Sequence, residues 1–142
     1  MTRTQILSDL IGRSWSLTGE GPDAYSCYGL FRHLQRVLWR RSVPLVEIPA
    51  EVDLRWIQRQ FDGRTLRAAW RFAPVAPGGI VQARDGAAVL MAGVDRPHHI
   101  GVWLAPEGVV IHSDNRVGVV VQSTAELRAS GLPRQRFYEA RA

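Results

Sequence analysis

A change in hydrophobic periodicity at Pro74, Pro77, Gly78 and Gly79 constrains the fold more than any other feature of the sequence. Before these residues, apolar side chains recur at helical spacing and predict helices. The predicted helices are Thr4–Ile11, 27–41, Val52–Phe61 and Thr65–Phe72. After them, short apolar segments separated by turn residues predict strands. The predicted strands are Ala87–Ala92, His98–Ala105, Val109–Ser113, Val117–Ser123 and an edge strand, Arg136–Glu139, with a short helix at Thr124–Ser130.

This order of elements predicts an α+β fold, in which N-terminal helices pack on an antiparallel sheet. With 142 residues, the chain is expected to form a single domain spanning 1–142. The net charge is +5, but the arginines that carry it are scattered along the sequence, which argues against a nucleic-acid partner. No apolar segment is long enough for membrane insertion. The first 25 residues also lack a secretory apolar run, so we expect cytoplasmic synthesis without a signal peptide.

Cys27 is the only cysteine in the sequence, which excludes an internal disulfide and a CxxC zinc site. It follows a loop rich in glycine and proline and begins the longest predicted helix, for which Ser26 is a suitable N-cap. Unpaired N–H groups and the positive end of the helix dipole lie at this position. A cysteine there can have a depressed pKa and act as a nucleophile, with a histidine as its base.

Two histidines are predicted to lie on one face of a hairpin. If Ala105 stands opposite Gly108 in a tight turn, then Gly101 faces His112 and His99 faces Asp114. Because side chains alternate between faces, His99 and His112 share a side as diagonal neighbours, roughly 7 Å apart. Gly101 would leave the space between them open. His112 could then orient His99, as the third member of a nucleophile–base–orienter set does.

Other interpretations of these residues remain open at this point. A lone cysteine is most often a small buried hydrophobe. The two histidines could bind a metal, but only Asp114 or Cys27 could serve as a third ligand, so we predict no metal and no cofactor. Ser113 is not expected to be a nucleophile because the G-x-S-x-G elbow is missing.

Three segments in order resemble the NlpC-type cell-wall cysteine peptidases of the papain-like superfamily. They are Ser26-Cys27-Tyr28-Gly29-Leu30, His99-Ile100-Gly101-Val102-Trp103-Leu104 and Val110-Ile111-His112. Residues 12–15 and 21–32 look most like the phage tail-associated branch of this family. The resemblance extends over roughly residues 5–123, which is nearly the whole chain.

The resemblance implies that Cys27 is the nucleophile, His99 the general base and His112 the orienting residue. It also implies a sheet of five or six strands and hydrolysis of amide bonds in the peptide stems of peptidoglycan. The candidate substrate-binding residues are Trp15, Ser26, Tyr28 and Trp103, of which Trp15 and Trp103 are expected to line a cleft. Phage tail proteins would be partners, and a virion tail would carry the enzyme to the wall.

Two departures from the family pattern lie in the segment that precedes the cysteine. Ser26 replaces the usual aspartate, so it can cap the helix but cannot pair with a substrate ammonium group. Trp15 takes the place of a common tyrosine. Two other functions therefore stay open: a tail-assembly or wall-binding component with little activity, and an acyltransferase or amidase on the same scaffold.

Overall fold

The computed structural model describes residues 1–44, 59, 68–93 and 99–141. Three helices lie entirely within these ranges: α1 (Arg3–Leu10), α2 (Cys27–Trp39) and α3 (Thr124–Ala129). A two-stranded parallel sheet joins β1 (Ser14–Trp15) to β2 (Ala24–Tyr25). The main strands are β3 (Trp70–Ala73), β4 (Ala88–Ala92), β5 (His99–Leu104), β6 (Val109–Asp114), β7 (Gly118–Gln122) and β8 (Arg134–Ala140).

The main strands form one six-stranded antiparallel sheet in the order β3-β8-β4-β5-β6-β7. Strands β4 to β7 follow one another along the chain and pair with their sequence neighbours, because each connection is short enough to form a hairpin or turn. The helix that carries Cys27 packs against this sheet. The predicted α+β fold is therefore confirmed, and the four predicted strands between residues 87 and 123 are present.

Two predictions at the other side of the sheet are wrong. The segment at Arg136–Glu139 is not an edge strand, because β8 lies between β3 and β4. The predicted helix Thr65–Phe72 is also incorrect where it can be compared, since residues 70–73 form β3. Pairing of Trp70 with Ala140 stabilises an extended conformation that the bulky aromatic side chains of this strand also favour.

Some predictions fall outside the described residues. The helix Val52–Phe61 does so apart from Arg59, which is helical. Residues 65–67 of the Thr65–Phe72 prediction and His98, at the start of a predicted strand, also lie outside.

Helix α2 has a clear start, a clear end and one apolar face. The Ser26 hydroxyl accepts a hydrogen bond from the Gly29 N–H, and Arg40 ends the helix in the left-handed conformation. Leu30, Phe31 and Leu34 are buried on the side that packs on β5 and β6. Burial of each such side chain stabilises the fold by about 1.5–3 kcal/mol, so the helix is firmly placed on the sheet.

The opposite face of the sheet has a smaller apolar cluster. Trp103 packs edge-to-face on Phe137, with 5.8 Å between ring centroids. Leu127 of α3 and Leu132 after it cover this cluster. The sheet is thus buried on both faces, and its β6–β7 region lies between α2 and the α3 segment.

Asp85 connects α1, the end of α2 and the β5–β6 turn. Its carboxylate accepts two hydrogen bonds from Arg3, at 2.7 and 2.8 Å. It also accepts one from the Trp39 indole at 3.2 Å and one from the Ala105 N–H at 2.9 Å. Burial alone would raise the pKa of Asp85, but these hydrogen bonds outweigh it and hold that pKa below its usual range.

Within the described ranges, no helix is both long enough and apolar enough to cross a membrane.

Candidate active site

The loop before α2 holds Cys27 in place through backbone contacts. The Ser26 N–H donates to the Gly19 carbonyl at 2.8 Å, so the loop closes directly onto the first turn of the helix. Gly29 faces the same carbonyl so closely that a Cβ at position 29 would overlap the Gly19 oxygen. The sequence therefore needs glycine at position 29, although alanine is the better helix former.

Ser113 joins this loop to the strand that carries His112. Its side chain is fully buried, and its hydroxyl donates to the Tyr25 carbonyl at 2.7 Å. The start of α2 is therefore fixed against β6 one residue away from His112. In this position Ser113 holds the loop before α2 against β6.

The thiol of Cys27 lies beside the start of β5, where β5 and β6 separate. Paired residues of these strands run only from Gly101↔His112 to Leu104↔Val109, so Ile100 lies just beyond the last pair. Residue Cys27 is half-buried, but its thiol is enclosed by the protein. This burial raises the pKa of the thiol, while backbone hydrogen bonds from Ile100, Tyr28 and Cys27 itself oppose the rise. The pKa therefore moves in the direction opposite to the sequence expectation, because desolvation outweighs the N–H groups of the helix start.

His99 and His112 lie on one face, as the register predicts. The two rings meet edge to face, and His99 Nε2 is 2.7 Å from His112 Nδ1. Gly101 pairs with His112 as expected, whereas Asp114 pairs with Gly118 in β7 rather than with His99. The expected open space at Gly101 is filled, because a Cβ there would meet the side chains of Val110 and Met91 at 2.8 and 2.9 Å.

The ring of His112 has a second contact that the sequence analysis missed. Its Nε2 lies 2.7 Å from Gln122 Oε1, and Gln122 Nε2 donates to the Ser130 hydroxyl oxygen at 3.3 Å. A signal for Gln122 exists in the sequence, because it is a polar residue at the end of the apolar segment Val119-Val120-Val121. Continuing the register across the β6–β7 turn would have placed Gln122 opposite Val110, diagonal to His112.

The four predicted substrate-binding residues differ in their exposure. Ser26 is buried and acts as the helix cap. Tyr28 is buried in the core, where its hydroxyl donates to the Pro44 carbonyl at 3.0 Å and burial raises its pKa to about 12. Trp103 belongs to the apolar cluster under α3, so the expectation that it lines a cleft is incorrect. Trp15 is half-buried, and its contact with substrate stays a prediction.

Among the described residues, no group of three or more histidine, cysteine, aspartate or glutamate side chains is arranged to hold a metal ion. His99 begins β5 and meets His112 edge to face, and the Cys27 thiol lies beside the backbone of Ile100, the next residue of the same strand. Thiol nucleophilic catalysis requires a base within hydrogen-bond reach of the sulfur, and His99 is the candidate for that base.

Comparison with known proteins supports the fold. No protein-family model matches the sequence, and no curated protein matches it. Among solved structures, the chain is similar to the crystal structure of the NlpC/p60 domain of the peptidoglycan hydrolase SagA, with a TM-score of 0.58 and 17% sequence identity. The similarity covers 94% of this chain and 93% of that one. The chain therefore has the papain-like fold of an NlpC/p60 domain over nearly its whole length.

Proposed function

We propose that this protein is a cysteine peptidase that hydrolyses amide bonds in the peptide stems of peptidoglycan. The observation that supports the proposal most directly is the 2.7 Å contact between His99 and His112 beside the Cys27-bearing start of α2. The NlpC/p60 domain of similar fold belongs to a peptidoglycan hydrolase, which favours this substrate class.

The raised pKa of Cys27 determines how the reaction would begin. Because burial favours the neutral thiol, His99 removes the proton as the sulfur attacks the carbonyl carbon of the substrate. His99 uses Nε2 for its contact with His112, so its Nδ1 is the nitrogen that exchanges the proton with Cys27. The tetrahedral oxyanion would accept a hydrogen bond from the backbone N–H of Cys27.

The second half of the reaction returns the enzyme to its starting state. The His99 imidazolium gives its proton to the leaving amine, and the carbon–nitrogen bond breaks to leave a thioester on Cys27. His99 then takes a proton from water, whose oxygen attacks the thioester carbon, and the carbon–sulfur bond breaks as His99 returns the proton to the sulfur. The products are a free carboxylic acid, a free amine and the regenerated thiol.

We also propose where the enzyme works and which bond it cuts. The likeness of residues 12–15 and 21–32 to the phage tail-associated branch suggests that a virion tail carries the enzyme and that tail proteins are its partners. Ser26 has no charge to pair with a substrate ammonium group, so we propose that the cleaved bond lies away from a free amino terminus.

Digestion of purified muropeptides, with masses of the products as the readout, tests the peptidase activity. We expect the native protein to give two fragments whose masses together equal the substrate plus one water, and Cys27→Ala and His99→Ala to give none. His33→Ala is the matched histidine control and should cleave normally, since His33 lies on the side of α2 and contacts Tyr25 and Arg36.

The same experiment distinguishes the other two functions. Native protein that binds sacculi but leaves every muropeptide intact would overturn the peptidase proposal and favour a wall-binding component. A product in which the acyl group is joined to an added amine or alcohol, with no gain of water, would instead indicate an acyltransferase.

A further inference from the structure

We propose that Gln122 is a positioning residue that sets the proton arrangement of both histidines, with Ser130 as its anchor. The inference rests on the proposed function, because it concerns how His99 is kept ready to act on Cys27. The residues that carry it form a hydrogen-bond chain that runs from His99 through His112, Gln122 and Ser130 to the Leu127 carbonyl.

The direction of donation is fixed at the Leu127 end of this hydrogen-bond series. A backbone carbonyl can only accept hydrogen bonds, and the Ser130 hydroxyl lies 3.2 Å from the carbonyl of Leu127, to which it donates. The Ser130 oxygen can then accept from the Gln122 amide group, 3.3 Å away. That contact turns the Gln122 oxygen toward His112.

The orientation of Gln122 determines the tautomers of the two rings. An amide oxygen facing His112 Nε2 at 2.7 Å requires a proton on that nitrogen, so neutral His112 has a bare Nδ1. The bare Nδ1 accepts from His99 Nε2, which is 2.7 Å away and must therefore carry the proton of neutral His99. His99 Nδ1 is left with a lone pair, as a base for the thiol requires.

Reversal of the donors and acceptors along this series of hydrogen bonds would leave His99 unable to act as a base. If the Gln122 amide were reversed, its NH₂ group would donate to His112 Nε2, and His112 Nδ1–H would donate to His99 Nε2. Neutral His99 would then carry its proton on Nδ1 and could not accept one there. In the reversed arrangement the Ser130 hydroxyl would donate to the Gln122 oxygen and could no longer donate to the Leu127 carbonyl. Only the first arrangement therefore makes a hydrogen bond at each of the four contacts from His99 to Leu127.

Burial makes these contacts consequential. The His112 side chain is fully buried, so water cannot substitute for a lost partner at Nε2. Gln122 and Ser130 are half-buried at the junction of β7 and α3, where the apolar cluster around Leu127 holds the α3 segment against the sheet. His112 and Gln122 share the face of Val110 and therefore lie on the same side of the sheet as this cluster, whereas α2, which carries Cys27, packs on the other side.

Long-range ¹H–¹⁵N NMR correlations of the imidazole rings test the proposal without any substrate. At a pH where both rings are neutral, we expect the Nε2–H tautomer for His99 and His112 in the native protein. Gln122→Leu should give mixed tautomers at both rings. The expected loss in kcat is roughly 10–100-fold, as for outer partners of metal-bound histidines, with KM nearly unchanged.

Two further variants keep the test decisive if Gln122→Leu folds poorly. Gln122→Glu keeps an acceptor facing His112, so it should keep the Nε2–H tautomers and move the acid limb of the pH–rate profile to higher pH. Ser130→Ala removes the anchor and should partly mix the tautomers, whereas Ser130→Thr should restore them.

Gln135→Leu is the matched control. Gln135 donates to the Thr124 and Leu132 carbonyls at 3.2 Å, so it supports the same α3 segment without touching either histidine. Its loss should leave the tautomers unchanged. Nδ1–H tautomers in the native protein, or unchanged tautomers in Gln122→Leu, would overturn the role of Gln122. Native protein with the expected tautomers but no muropeptide cleavage would overturn the peptidase proposal alone.

Discussion

The two ends of α2 are attached to the rest of the protein by different kinds of interaction. At the start, neutral hydrogen bonds to backbone carbonyls hold Ser26 and Ser113, and the close approach of Gly29 to Gly19 leaves no room for a side chain. At the far end, the Trp39 indole donates a hydrogen bond to Asp85, which also forms an ion pair with Arg3.

The difference matters because the chemical groups lie only at the first end. Neutral hydrogen bonds and steric fit change little with salt or pH, whereas ion pairs weaken when salt rises or a carboxylate is protonated. The thiol is thus positioned by the less condition-dependent of the two attachments. Variants at each end should separate these contributions.

Replacement of Gly29 by alanine should have the largest effect. The new methyl group would overlap the Gly19 carbonyl, so the loop or the helix start must move, and we expect a loss of about 1–3 kcal/mol in the free energy of unfolding. Urea denaturation measures the change, with Ser8→Ala on the exposed face of α1 as the control. A Gly29→Ala protein as stable as the native one would show that helix propensity outweighs the contact with the loop.

Asp85→Asn should weaken the far end while leaving the site intact. We expect a loss of about 1–2 kcal/mol at neutral pH and low salt, since the charged hydrogen bonds from Arg3 weaken. The folded-state pKa of Asp85 is lowered, so its stabilisation is present above the unfolded value of about 3.9 and disappears as pH falls through the folded value.

The difference between Asp85→Asn and native protein should therefore shrink in acid and in high salt. Asp9→Asn removes an exposed partner of Arg13 and is the control, with little expected change. If the loss of stability in Asp85→Asn stayed constant down to pH values well below the folded-state pKa of Asp85, charge would not explain how this end of α2 is held. The alkylation rate of Cys27 should be the same in Asp85→Asn as in the native protein.

Titration of Cys27, at the start of α2, should have the smallest effect on stability. Because burial raises the folded pKa of its thiol, the folded state holds that proton more tightly than the unfolded chain. Stability should then decline as pH rises above about 8.5, the ordinary pKa of cysteine, and Cys27→Ser should remove this part of the decline. Unfolding curves of the two proteins between about pH 8 and 9.5 test this, before tyrosine ionisation contributes, and parallel curves would contradict it.

The sequence predicts local features of this fold better than distant ones. Ser26 capping α2 and Gly101 facing His112 follow from neighbouring residues, a helix start and a tight turn, and both are confirmed. The position of β8 between β3 and β4 depends on pairing across long stretches of chain, which periodicity does not encode. For that reason the sequence predicts an edge strand at Arg136–Glu139 and a helix at Thr65–Phe72, where the structure has an inner strand and the start of β3.

The site shows the same division. Two histidines on one face follow from alternation along a hairpin, but the pKa of Cys27 depends on how closely the loop and sheet exclude water around it. Gln122 was missed because only a third strand brings it to His112. The pKa of Cys27 and the contact of Gln122 with His112 therefore cannot be predicted from the sequence, because one depends on burial and the other on a third strand.

The insertion of β8 between β3 and β4 has a consequence for the order in which the sheet can assemble. Strands β4 to β7 can zip together as successive hairpins as soon as they leave the ribosome, and they already contain both histidines. β3 is made earlier but has no neighbour in the sheet until β8 arrives more than sixty residues later. We expect the half of the sheet next to β3 to be the slow step of folding, and an incomplete chain to carry its histidines on a sheet with an open β4 edge.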